Sequence, residues 1–400
     1  MTRTVFRGGR VFDGTDTLSE AEVVVVDGRI LEIGTSLDGD EAIDCTGKAI
    51  LPGLFDCHVH VTMSGIDLIQ NLNKPFSSRY FEAVVNLRRT LETGITTVRD
   101  AGGADLGVKD AVERGLIEGP RLKIAVTILS QTGGHADRWM VCGVNLNGPP
   151  VPGTPDPIVD GVENVRLRVR ELIRAGADQI KVCTSGGVLS PRDDPRHAHF
   201  RLDELDEFVA QAIAAHTYVM AHAQATDGIK NAVRAGIRSI EHGVFLDEEA
   251  ISMMLEKGTW LVPTLSAPIG VLEAVEEGAH LPPQMVQKAR DVIDAHRESI
   301  RMAVAAGVRI AMGTDSGVGP HGSNLRELQL MHEVGMAPAD VLLATTSRAA
   351  ELLRVSDELG TLEAGKRADL VVVDGDPFDF IGLRERIEQV WKDGRLVFTR

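Results

Sequence analysis

The stretch "AILPGLFDCHVHV" at residues 49–61 joins an apolar run to two histidines that flank a single valine. Successive side chains of a strand point to opposite faces, so in a strand His58 and His60 would lie on the same face. Two buried imidazoles side by side need either hydrogen-bond partners or a metal ion. The chain has a second pair of this spacing, His197 and His199, in a segment rich in proline and charge. We expect that pair to be a loop feature, with contact to a substrate as the alternative.

Seven further short apolar runs follow the first one, and amphipathic helical patterns separate most of them. The runs are "GITTVRDAG" (94–102), "RLKIAVTIL" (121–129), "DQIKVCTSGG" (178–187), "TYVMAHAQ" (217–224), "IRSIEHGVF" (237–245), "TWLVPTLS" (259–266) and "VRIAMGTDSG" (308–317). A strand-then-helix repeat across residues 52–355 predicts an α/β fold with a parallel sheet, and eight units predict a closed (β/α)8 TIM barrel. The alternative is an open doubly wound sheet, which the lack of G-x-G-x-x-G after an early strand disfavours.

Both ends of the chain have a different pattern, with short β-branched runs broken by glycine and Asp-Gly turns. Residues 1–51 contain "VDGRI" (26–30), and residues 356–400 contain the similar phrase "KDGRL" (392–396). We predict that the two segments pair into one small discontinuous β-sandwich domain beside the barrel. The alternative is two unrelated edge hairpins.

Composition limits the class of protein. The chain has 400 residues, of which 43% are hydrophobic and 25% charged, as in globular proteins. Its net charge of −16 argues against nucleic acid or an anionic membrane surface as a partner. It lacks a signal-peptide pattern and any apolar run near the ~18 residues of a membrane span. Four scattered cysteines without C-x-x-C spacing suit a reducing compartment. We therefore expect a soluble cytoplasmic protein that acts on a small molecule, and we expect a homo-oligomer.

The chemistry of a (β/α)8 barrel lies at the carboxyl ends of its strands. Polar residues stand near the ends of six of the eight runs, namely His58 and His60, Arg99 and Asp100, Lys181, His222, His242 and Asp315. Imidazole nitrogen and carboxylate oxygen are ligands that suit zinc or a similar divalent ion. Cys57 should face away from such a site, because neighbouring strand residues alternate. The remaining histidines in helical or loop patterns are expected on the surface, and they are His216, His280, His296 and His332.

Lys181 does not fit a simple ligand set, because an ammonium group cannot bind a metal and its burial beside cations is unfavourable. It could form a salt bridge with Asp100 or Asp315. Alternatively, its amine could react with carbon dioxide to form a carbamate, an anion whose two oxygens could bridge two metal ions.

These motifs together closely resemble the amidohydrolase superfamily over nearly the whole chain, including the "GTLEAGKRADLVVVD" phrase at 360–374. The phrases "SQTGGHAD", "TSGGVLSP" and "SIEHG" are similar to one branch in particular. That branch contains Xaa-Pro dipeptidases and carboxypeptidases, imidazolonepropionase-like proteins and ochratoxinase-type amidases.

The resemblance implies a centre with two divalent ions, for which zinc is our expectation, although manganese, iron and cobalt share these ligands. The more buried ion would be bound by His58, His60 and Asp315. The more exposed ion would be bound by His222 and His242. Lys181, carboxylated by carbon dioxide, would bridge the two ions.

The same resemblance implies the reaction. A hydroxide that bridges the two ions would attack the carbonyl of an amide, and Asp315 would pass its proton to the leaving amine. His135 would contact the substrate, with a hydrogen bond that stabilises its loop as the alternative. The expected activity is hydrolysis of a C–N bond in a dipeptide, Xaa-Pro or similar, or in an N-acyl amino acid. The alternatives are a neutral or cyclic amide, a urea or a carbamate, and a catalytically silent homologue, which the complete ligand set disfavours.

Selectivity is expected in the loops. The proline-rich segment "GPPVPGTPDP" (148–157) should be an irregular loop, either a lid or a surface excursion. Arg192 and Arg196 could bind an acidic group of the substrate, with a plain surface position as the alternative. Gln224 stands where relatives often have tyrosine, which puts the relatives' substrate preference in doubt. His321 belongs to the phrase "HGSNLRELQL", which we expect to shape the mouth of the barrel, with substrate contact as a further role.

Overall fold

The computed structural model of the chain describes residues 2–15, 17–140, 142–147, 151–190 and 192–400. Within these ranges it contains eighteen strands and twelve α-helices. The strands are β1 (Thr4–Arg7), β2 (Arg10–Phe12), β3 (Leu18–Glu20), β4 (Glu22–Val26), β5 (Arg29–Gly34), β6 (Glu41–Asp44), β7 (Lys48–Pro52), β8 (Leu54–Val59), β9 (Ile95–Asp100), β10 (Arg121–Ile124), β11 (Ile128–Leu129), β12 (Ile180–Cys183), β13 (Val219–Ala223), β14 (Ser239–His242), β15 (Trp260–Val262), β16 (Leu370–Asp374), β17 (Ile387–Lys392) and β18 (Arg395–Thr399). The helices are α1 (Leu68–Asn73), α2 (Ser78–Leu91), α3 (Leu106–Glu113), α4 (Val162–Arg174), α5 (Leu202–Ala214), α6 (Thr226–Ala235), α7 (Glu248–Lys257), α8 (Ser266–Glu276), α9 (Pro283–Ala306), α10 (Arg326–Glu333), α11 (Pro338–Ala344) and α12 (Ser347–Leu352).

The two ends of the chain share a six-stranded sheet in the order β18-β17-β16-β7-β2-β3. Its two parts are joined by antiparallel pairing of β16 with β7, in which Leu370 lies opposite Pro52. A four-stranded sheet in the order β5-β4-β1-β6 packs on it, and the rings of Phe6 and Trp391 meet edge-on across the interface, with centroids 5.1 Å apart. The predicted β-sandwich built from both chain ends is therefore confirmed. Its division from the barrel at residues 51/52 and 355/356 stays a prediction.

The barrel strands lie in two parallel groups, β8-β9-β10 and β11-β12-β13-β14-β15. One run of the sequence, residues 121–129, joins the two groups, because β10 pairs with β9 and β11 pairs with β12. The run is broken between these strands, where Val126 has a left-handed φ of 64°. The third strand of the barrel is thus two short pieces rather than one regular strand.

The eighth run closes the barrel through an irregular segment. Ile310 pairs in parallel with Leu261 of β15, and Ser316 pairs in parallel with Val59 of β8. Between these points Cys57 N donates to Met312 O at 2.9 Å. The predicted closed barrel is confirmed, and the open sheet is excluded.

The helices cover the barrel with one apolar face each. In α4, Val165, Val169 and Leu172 are fully buried, at the spacing of one helical face. The strands beneath are buried on both sides, as expected for parallel strands between a packed interior and a helical layer. This packing fixes the strand ends on which the candidate site is built.

Two further expectations concern the surface. Among the described residues, no helix is both long and apolar enough to span a lipid bilayer. In the proline-rich segment, residues 148–150 lie outside the described residues, and residues 151–157 contain neither helix nor strand. Pro157 O accepts a hydrogen bond from Ser130 N at 2.9 Å, so this segment packs beside the third strand. Its role as a lid stays a prediction.

Candidate active site

Six of the side chains selected from the sequence meet at the carboxyl end of the barrel. They come from five different strand ends and are His58, His60, Lys181, His222, His242 and Asp315. Ligand atoms of His58, His60 and Asp315 all lie within 4.8 Å of one another, which is the spacing of a metal site. The rings of His222 and His242 are 4.7 Å apart, and those of His58 and His242 are 5.1 Å apart. The barrel therefore brings together residues that are up to 257 positions apart in the chain.

Asp315 faces this cluster with a free oxygen. Its Oδ1 lies 3.2 Å from His60 Nε2 and 3.6 Å from His58 Nε2, yet among the described residues it receives no well-aligned hydrogen bond. Burial alone would raise the pKa of Asp315, but the neighbouring His58, His60 and Lys181 outweigh burial and hold the pKa below its usual value. The carboxyl group is therefore ionised at neutral pH and available to bind a cation.

Each of the four histidines has one ring nitrogen held by the protein. The pairs are His58 Nδ1 with Glu241 Oε2 (2.8 Å), His60 Nδ1 with Gly102 O (2.7 Å), His222 Nε2 with Gly186 O (3.0 Å) and His242 Nδ1 with Thr264 Oγ1 (2.7 Å). A carboxylate or a carbonyl can only accept, so it places the proton on the nitrogen that it contacts. In His58, His60 and His222 the opposite nitrogen is then the one left to bind a metal, whereas the Thr264 hydroxyl can donate or accept and holds the His242 ring without fixing its proton. This is the arrangement of metal-binding histidines, whose second nitrogen donates to a protein acceptor.

The electrostatics of the cluster agree with that arrangement. Burial, followed by the neighbouring positive groups, lowers the pKa of His58, His222 and His242 well below the usual value for histidine. Burial would also lower the pKa of His60, but its contact with Asp315 raises it above the usual value. Three of the imidazoles are therefore neutral at pH 7, and neutral imidazole is the form that binds a metal ion.

Lys181 is 2% exposed, and its Nζ lies 3.4 Å from His58 Nε2. A simple salt bridge is not present, because neither Asp100 nor Asp315 has an oxygen within 4.0 Å of this nitrogen. Asp100 instead accepts hydrogen bonds from three backbone N–H groups, including those of Val61 and Gly102. Burial lowers the pKa of Lys181, which favours the neutral amine.

Glu241 is a residue of the site that sequence reasoning missed. It is fully buried and accepts from His58 Nδ1, from Ser239 Oγ at 2.6 Å and from Arg99 Nη2, which lies 2.8 Å from Oε1 and 3.0 Å from Oε2. Arg99 is also fully buried and donates to Cys57 O at 2.6 Å. A carboxylate inside a short apolar strand was the available signal, because carboxylates are almost never buried without a partner.

His296 corrects one expectation. We predicted it on the surface, but it is 2% exposed, and its Nε2 donates to His242 O at 2.9 Å. Its helix α9 buries Val292, His296, Ser299 and Ala303, which share one helical face against the barrel. The other three histidines expected on the surface are exposed, as predicted.

The second H-x-H pair is a loop feature. His197 is exposed, whereas His199 is buried against the neighbouring loop, where an added methyl group on Gly134 would lie 3.1 Å from its Nδ1. Among the described residues, neither histidine lines the pocket of the site.

A pocket that opens to solvent lies over the cluster, and its empty volume of about 460 Å³ includes part of that solvent space. Its polar lining consists of His135, His222, Gln224, His242, His296 and Asp315. Its apolar lining consists of Val188, Leu189, Val244, Ala267, Pro268, Val271, Val292 and Val318. The pocket is therefore mainly aliphatic, with the polar groups gathered at the candidate metal centre.

The residues selected for substrate contact lie in different places. His135 lines the pocket and stacks on His222, with ring centroids 4.1 Å apart and planes 10° from parallel. Gln224 also lines it, and its buried Oε1 has no hydrogen-bond partner among the described residues. Arg192 and Arg196 are exposed, and the guanidinium of Arg196 lies 4.9 Å from the centre of the Phe245 ring.

His321 is buried beneath the first loop of the barrel. Its Nε2 lies 3.2 Å from His60 O and 3.1 Å from Met63 O, so it holds the backbone beside a candidate ligand. In the same phrase, Asn324 Nδ2 donates to Asp56 Oδ2 at 2.8 Å, and Glu327 accepts from Leu265 N at 2.7 Å. These contacts give the segment 321–330 the architectural role that we expected from the sequence.

Comparison with known proteins agrees with this geometry. The sequence pattern of the amidohydrolase family matches residues 49–397. Ochratoxinase from Aspergillus niger is 32% identical, over 98% of this chain and 86% of that protein. A crystal structure of a Xaa-Pro dipeptidase with bound methionine in its active site superposes with a TM-score of 0.92 at 35% identity, and a prolidase complexed with N-methylphosphonate-L-proline superposes with a TM-score of 0.91 at 38% identity. Both alignments cover 100% of each chain. The resemblance drawn from the sequence motifs is confirmed.

Proposed function

The chain belongs to the amidohydrolase family of metal-dependent C–N hydrolases, and we propose that it uses two divalent ions to hydrolyse the amide bond of a dipeptide, Xaa-Pro or similar, or of an N-acyl amino acid. The observation that carries this proposal is the convergence of four histidines, Asp315 and Lys181 at the mouth of one aliphatic pocket.

The residues present fit a binuclear centre. His58, His60 and Asp315 would hold one ion, and His222 and His242 the other. The support is the contact of each ring with one protein oxygen, which leaves its other nitrogen facing the centre; for His58, His60 and His222 that oxygen is a carboxylate or a carbonyl and places the proton on the nitrogen that it contacts. When bound, the ions, for which zinc is our expectation, would make hydroxide available at neutral pH and polarise the carbonyl of the substrate.

Lys181 would complete the centre as a carbamate. Its neutral amine would form an N–C bond with carbon dioxide and release a proton. The product is a carbamate, which carries a negative charge. The support is its burial, its lowered pKa and the lack of a carboxylate partner within 4.0 Å among the described residues. An anion at this position would also offset part of the positive charge of two divalent ions.

Asp315 and His135 are the proposed catalytic residues. Asp315 is ionised and has a free Oδ1, so it can accept a proton from the attacking water and donate it to the leaving amine. His135 lies at the pocket wall beside His222, where it can contact the scissile group.

The pocket supports a substrate with an apolar side chain. Eight aliphatic residues line it, and a prolyl ring or a branched aliphatic chain would bury its surface against them. Related proteins with this fold include a Xaa-Pro dipeptidase and a prolidase, which is why Xaa-Pro dipeptides are our first choice.

A dipeptidase also needs a group that binds the free carboxylate of the substrate. Arg192 and Arg196 remain candidates from the sequence. Arg79 is a further candidate, because its Nη2 donates to Gly103 O at 3.3 Å, next to the residue whose carbonyl holds His60. No carboxylate of the described residues lies within 4.0 Å of the Arg79 guanidinium, so it is available to bind an acid.

A neutral amide, cyclic amide, urea or carbamate is the second candidate substrate class. One observation favours it, namely that the described pocket lining contains neither arginine nor lysine. Gln224 would then use its unpartnered amide to bind a neutral polar group.

The deciding experiment is a hydrolysis screen of the metal-loaded enzyme with matched substrates. Leucyl-proline and leucyl-prolinamide share the scissile bond and differ only in the terminal carboxylate. Preference for leucyl-proline, with a KM that rises in Arg79→Met, Arg192→Met or Arg196→Met, supports the dipeptidase. Equal or faster cleavage of the prolinamide, of N-acyl amides or of ureas supports the second class. Failure to cleave any of them at full metal content would favour the catalytically silent homologue.

We also propose a homo-oligomer. Helices α1 and α2 and the connection between them expose a set of large apolar side chains that a second copy could cover, and these are Ile69, Leu72, Phe76, Phe81 and Val85. Native mass spectrometry of the wild type and of Phe81→Glu would measure the assembly. The cytoplasmic location expected from the cysteines stays a prediction.

A further inference from the structure

The fourth loop of the barrel, between β12 and α5, folds around one buried carboxylate. The side chain of Asp193 is 2% exposed, although it lies in a segment of prolines and charges. Its Oδ1 accepts from Ser190 Oγ, and its Oδ2 accepts from Gly187 N at 3.0 Å. Lys288 Nζ, on helix α9, lies 3.1 Å from Oδ1 and supplies the opposite charge.

Lys288 is itself fully engaged by this loop. Besides Asp193, its ammonium group donates to Gly187 O at 3.0 Å and to Ser190 O at 3.1 Å. Three acceptors match the three protons of a lysine ammonium group. The loop is thus tied to helix α9 through one buried ion pair, and that helix also contributes Val292 and His296 to the pocket.

The same carboxylate is connected to His135. His135 Nδ1 lies 3.0 Å from Ser190 Oγ and 3.5 Å from Asp193 Oδ2. A serine hydroxyl has one proton, and an ionised carboxylate can only accept. The Ser190 hydroxyl contacts Asp193 Oδ1 and also Gly187 O at 3.0 Å, and both oxygens can only accept. Because its one proton goes to these acceptors, the Ser190 oxygen must accept from His135, which places the imidazole proton on Nδ1.

This connection determines which atom of His135 meets the substrate. With Nδ1 occupied on the loop side, Nε2 is the nitrogen left for the pocket. The ring is also held sterically, because an added methyl group on Gly187 would lie 2.4 Å from His135 Cε1 and 2.8 Å from His222 Cε1. The imidazole is therefore fixed in position and in tautomer.

We infer that Ser190, Asp193 and Lys288 are positioning residues that hold His135 as the Nδ1–H tautomer and present its Nε2 to the substrate. The inference rests on the proposed function only for the catalytic consequence, because the tautomer is a property of the resting protein. In its neutral form His135 accepts a hydrogen bond at Nε2, so the substrate group that it meets is a donor, such as the leaving amine once it is protonated.

The first test needs no substrate. Imidazole ¹⁵N NMR of the zinc-loaded, histidine-labelled protein reports which nitrogen of each ring carries the proton, and the signals of His135 are identified by their loss in His135→Gln. We expect protonation at Nδ1 in the wild type and a mixture of tautomers in Asp193→Asn and Ser190→Ala. A wild-type His135 protonated at Nε2 would overturn the inference, whether or not the enzyme cleaves any amide.

The second test is kinetic, with leucyl-proline as substrate. We expect Asp193→Asn and Lys288→Met to lower kcat at least about 10-fold with KM changed less than about 2-fold, as for carboxylates that orient a catalytic histidine. The matched controls are Asp194→Asn in the same loop and Arg290→Met on the same helix, both expected to keep wild-type kcat. A wild-type kcat in Asp193→Asn and Ser190→Ala contradicts the positioning role, whereas an inactive wild type with the Nδ1–H tautomer contradicts only the proposed function.

A steric variant separates positioning from loop stability. Gly187→Ala keeps every side chain of the ion pair but pushes on the His135 ring, so we expect the same loss of kcat; because the methyl group would also lie 2.8 Å from His222 Cε1, kcat is compared at a measured metal content equal to that of the wild type. Gly319→Ala is its control, because an added methyl group there meets nothing within 4 Å. Unchanged kcat in Gly187→Ala would show that the orientation of His135 does not limit turnover.

Discussion

Replacing Glu241 by glutamine removes one negative charge from beneath the candidate metal centre and changes little else in shape. Three groups donate to the wild-type carboxylate, namely His58 Nδ1, Ser239 Oγ and the Arg99 guanidinium. A carboxamide has one accepting oxygen, and its NH₂ group must face one of these donors in either orientation. If the NH₂ group faces His58, that ring must accept at Nδ1, and its proton moves to the nitrogen that would bind the metal.

The expected cost has two parts. Arg99 is fully buried, and removing one partner of a buried ion pair costs about 3–5 kcal/mol, because the remaining charge is left without compensation. Loss of a hydrogen-bond partner behind a ligating histidine lowers metal affinity about 10–100-fold. That factor corresponds to about 1.4–2.7 kcal/mol. The first part appears in the metal-free protein and the second only on metal binding, so the two can be measured separately.

Denaturant unfolding of the metal-free enzyme gives the first part, and metal titration with elemental analysis after dialysis gives the second. The control is Glu273→Gln, which breaks an exposed ion pair with Arg326 and should cost no more than about 1 kcal/mol without affecting the metal. Suppose that Glu241→Gln unfolds like this control and retains two ions per chain at wild-type affinity. Glu241 would then have neither the structural nor the metal-orienting role assigned to it.

Three further variants test separate parts of the site. Lys181→Ala should lose the second ion and most activity. The wild type should show a ¹³C NMR signal of the carbamate after growth or incubation with labelled bicarbonate. Full metal content in the variant would be incompatible with a carbamate bridge. Asp315→Asn should retain most metal through His58 and His60 but lose about 10²–10⁴-fold in kcat, as for a general acid–base group, and retained turnover would remove it as the proton carrier. Burial lowers the pKa of His199 from 6.5 to about 4. As the pH falls below 6.5, the unfolded chain takes up a proton at His199 before the folded chain does. The free energy of unfolding therefore decreases by about 1.4 kcal/mol per pH unit between pH 6.5 and 4. In the metal-free protein, His199→Gln should remove this contribution of about 1.4 kcal/mol per pH unit from the pH dependence of the unfolding free energy. An unchanged pH dependence would show that His199 does not titrate in this way.

The polar residues at the strand ends could be predicted from the sequence. Side-chain alternation along a strand and the common direction of parallel strands both follow from local sequence patterns. Cys183 lies opposite His222, and Ala223 lies opposite His242, so the register carries each polar residue to the same end of the barrel. Glycine turns and β-branched runs identified the strands of the sandwich in the same way. Neither inference depended on how distant loops pack.

The residues that were misplaced or missed depend on packing between elements. His296 has a helical pattern, but which face of α9 meets the barrel is decided by the neighbouring helices and not by its own sequence. The loop around Asp193 contains two prolines and several charges, and the charge that compensates its buried carboxylate comes from Lys288, 95 positions later. Such contacts join segments that no periodicity relates.

The backbone itself adds an argument that the strand ends are built for a ligand. His242, Thr264 and Asp315 have left-handed φ values of 73°, 52° and 60°, in a region that costs non-glycine residues about 1–3 kcal/mol each. His242 and Asp315 are candidate ligands, and Thr264 holds the ring of His242. Asp315 Oδ1 and Gln224 Oε1 are also buried without a partner, which is a further cost in the isolated chain. Left-handed residues and unsatisfied buried atoms also occur elsewhere among the described residues, for example at Val126 and Thr97, but at the candidate site a bound group can offset their cost. For Asp315 that group is a cation. For Gln224 Oε1 it is a donor group of the substrate.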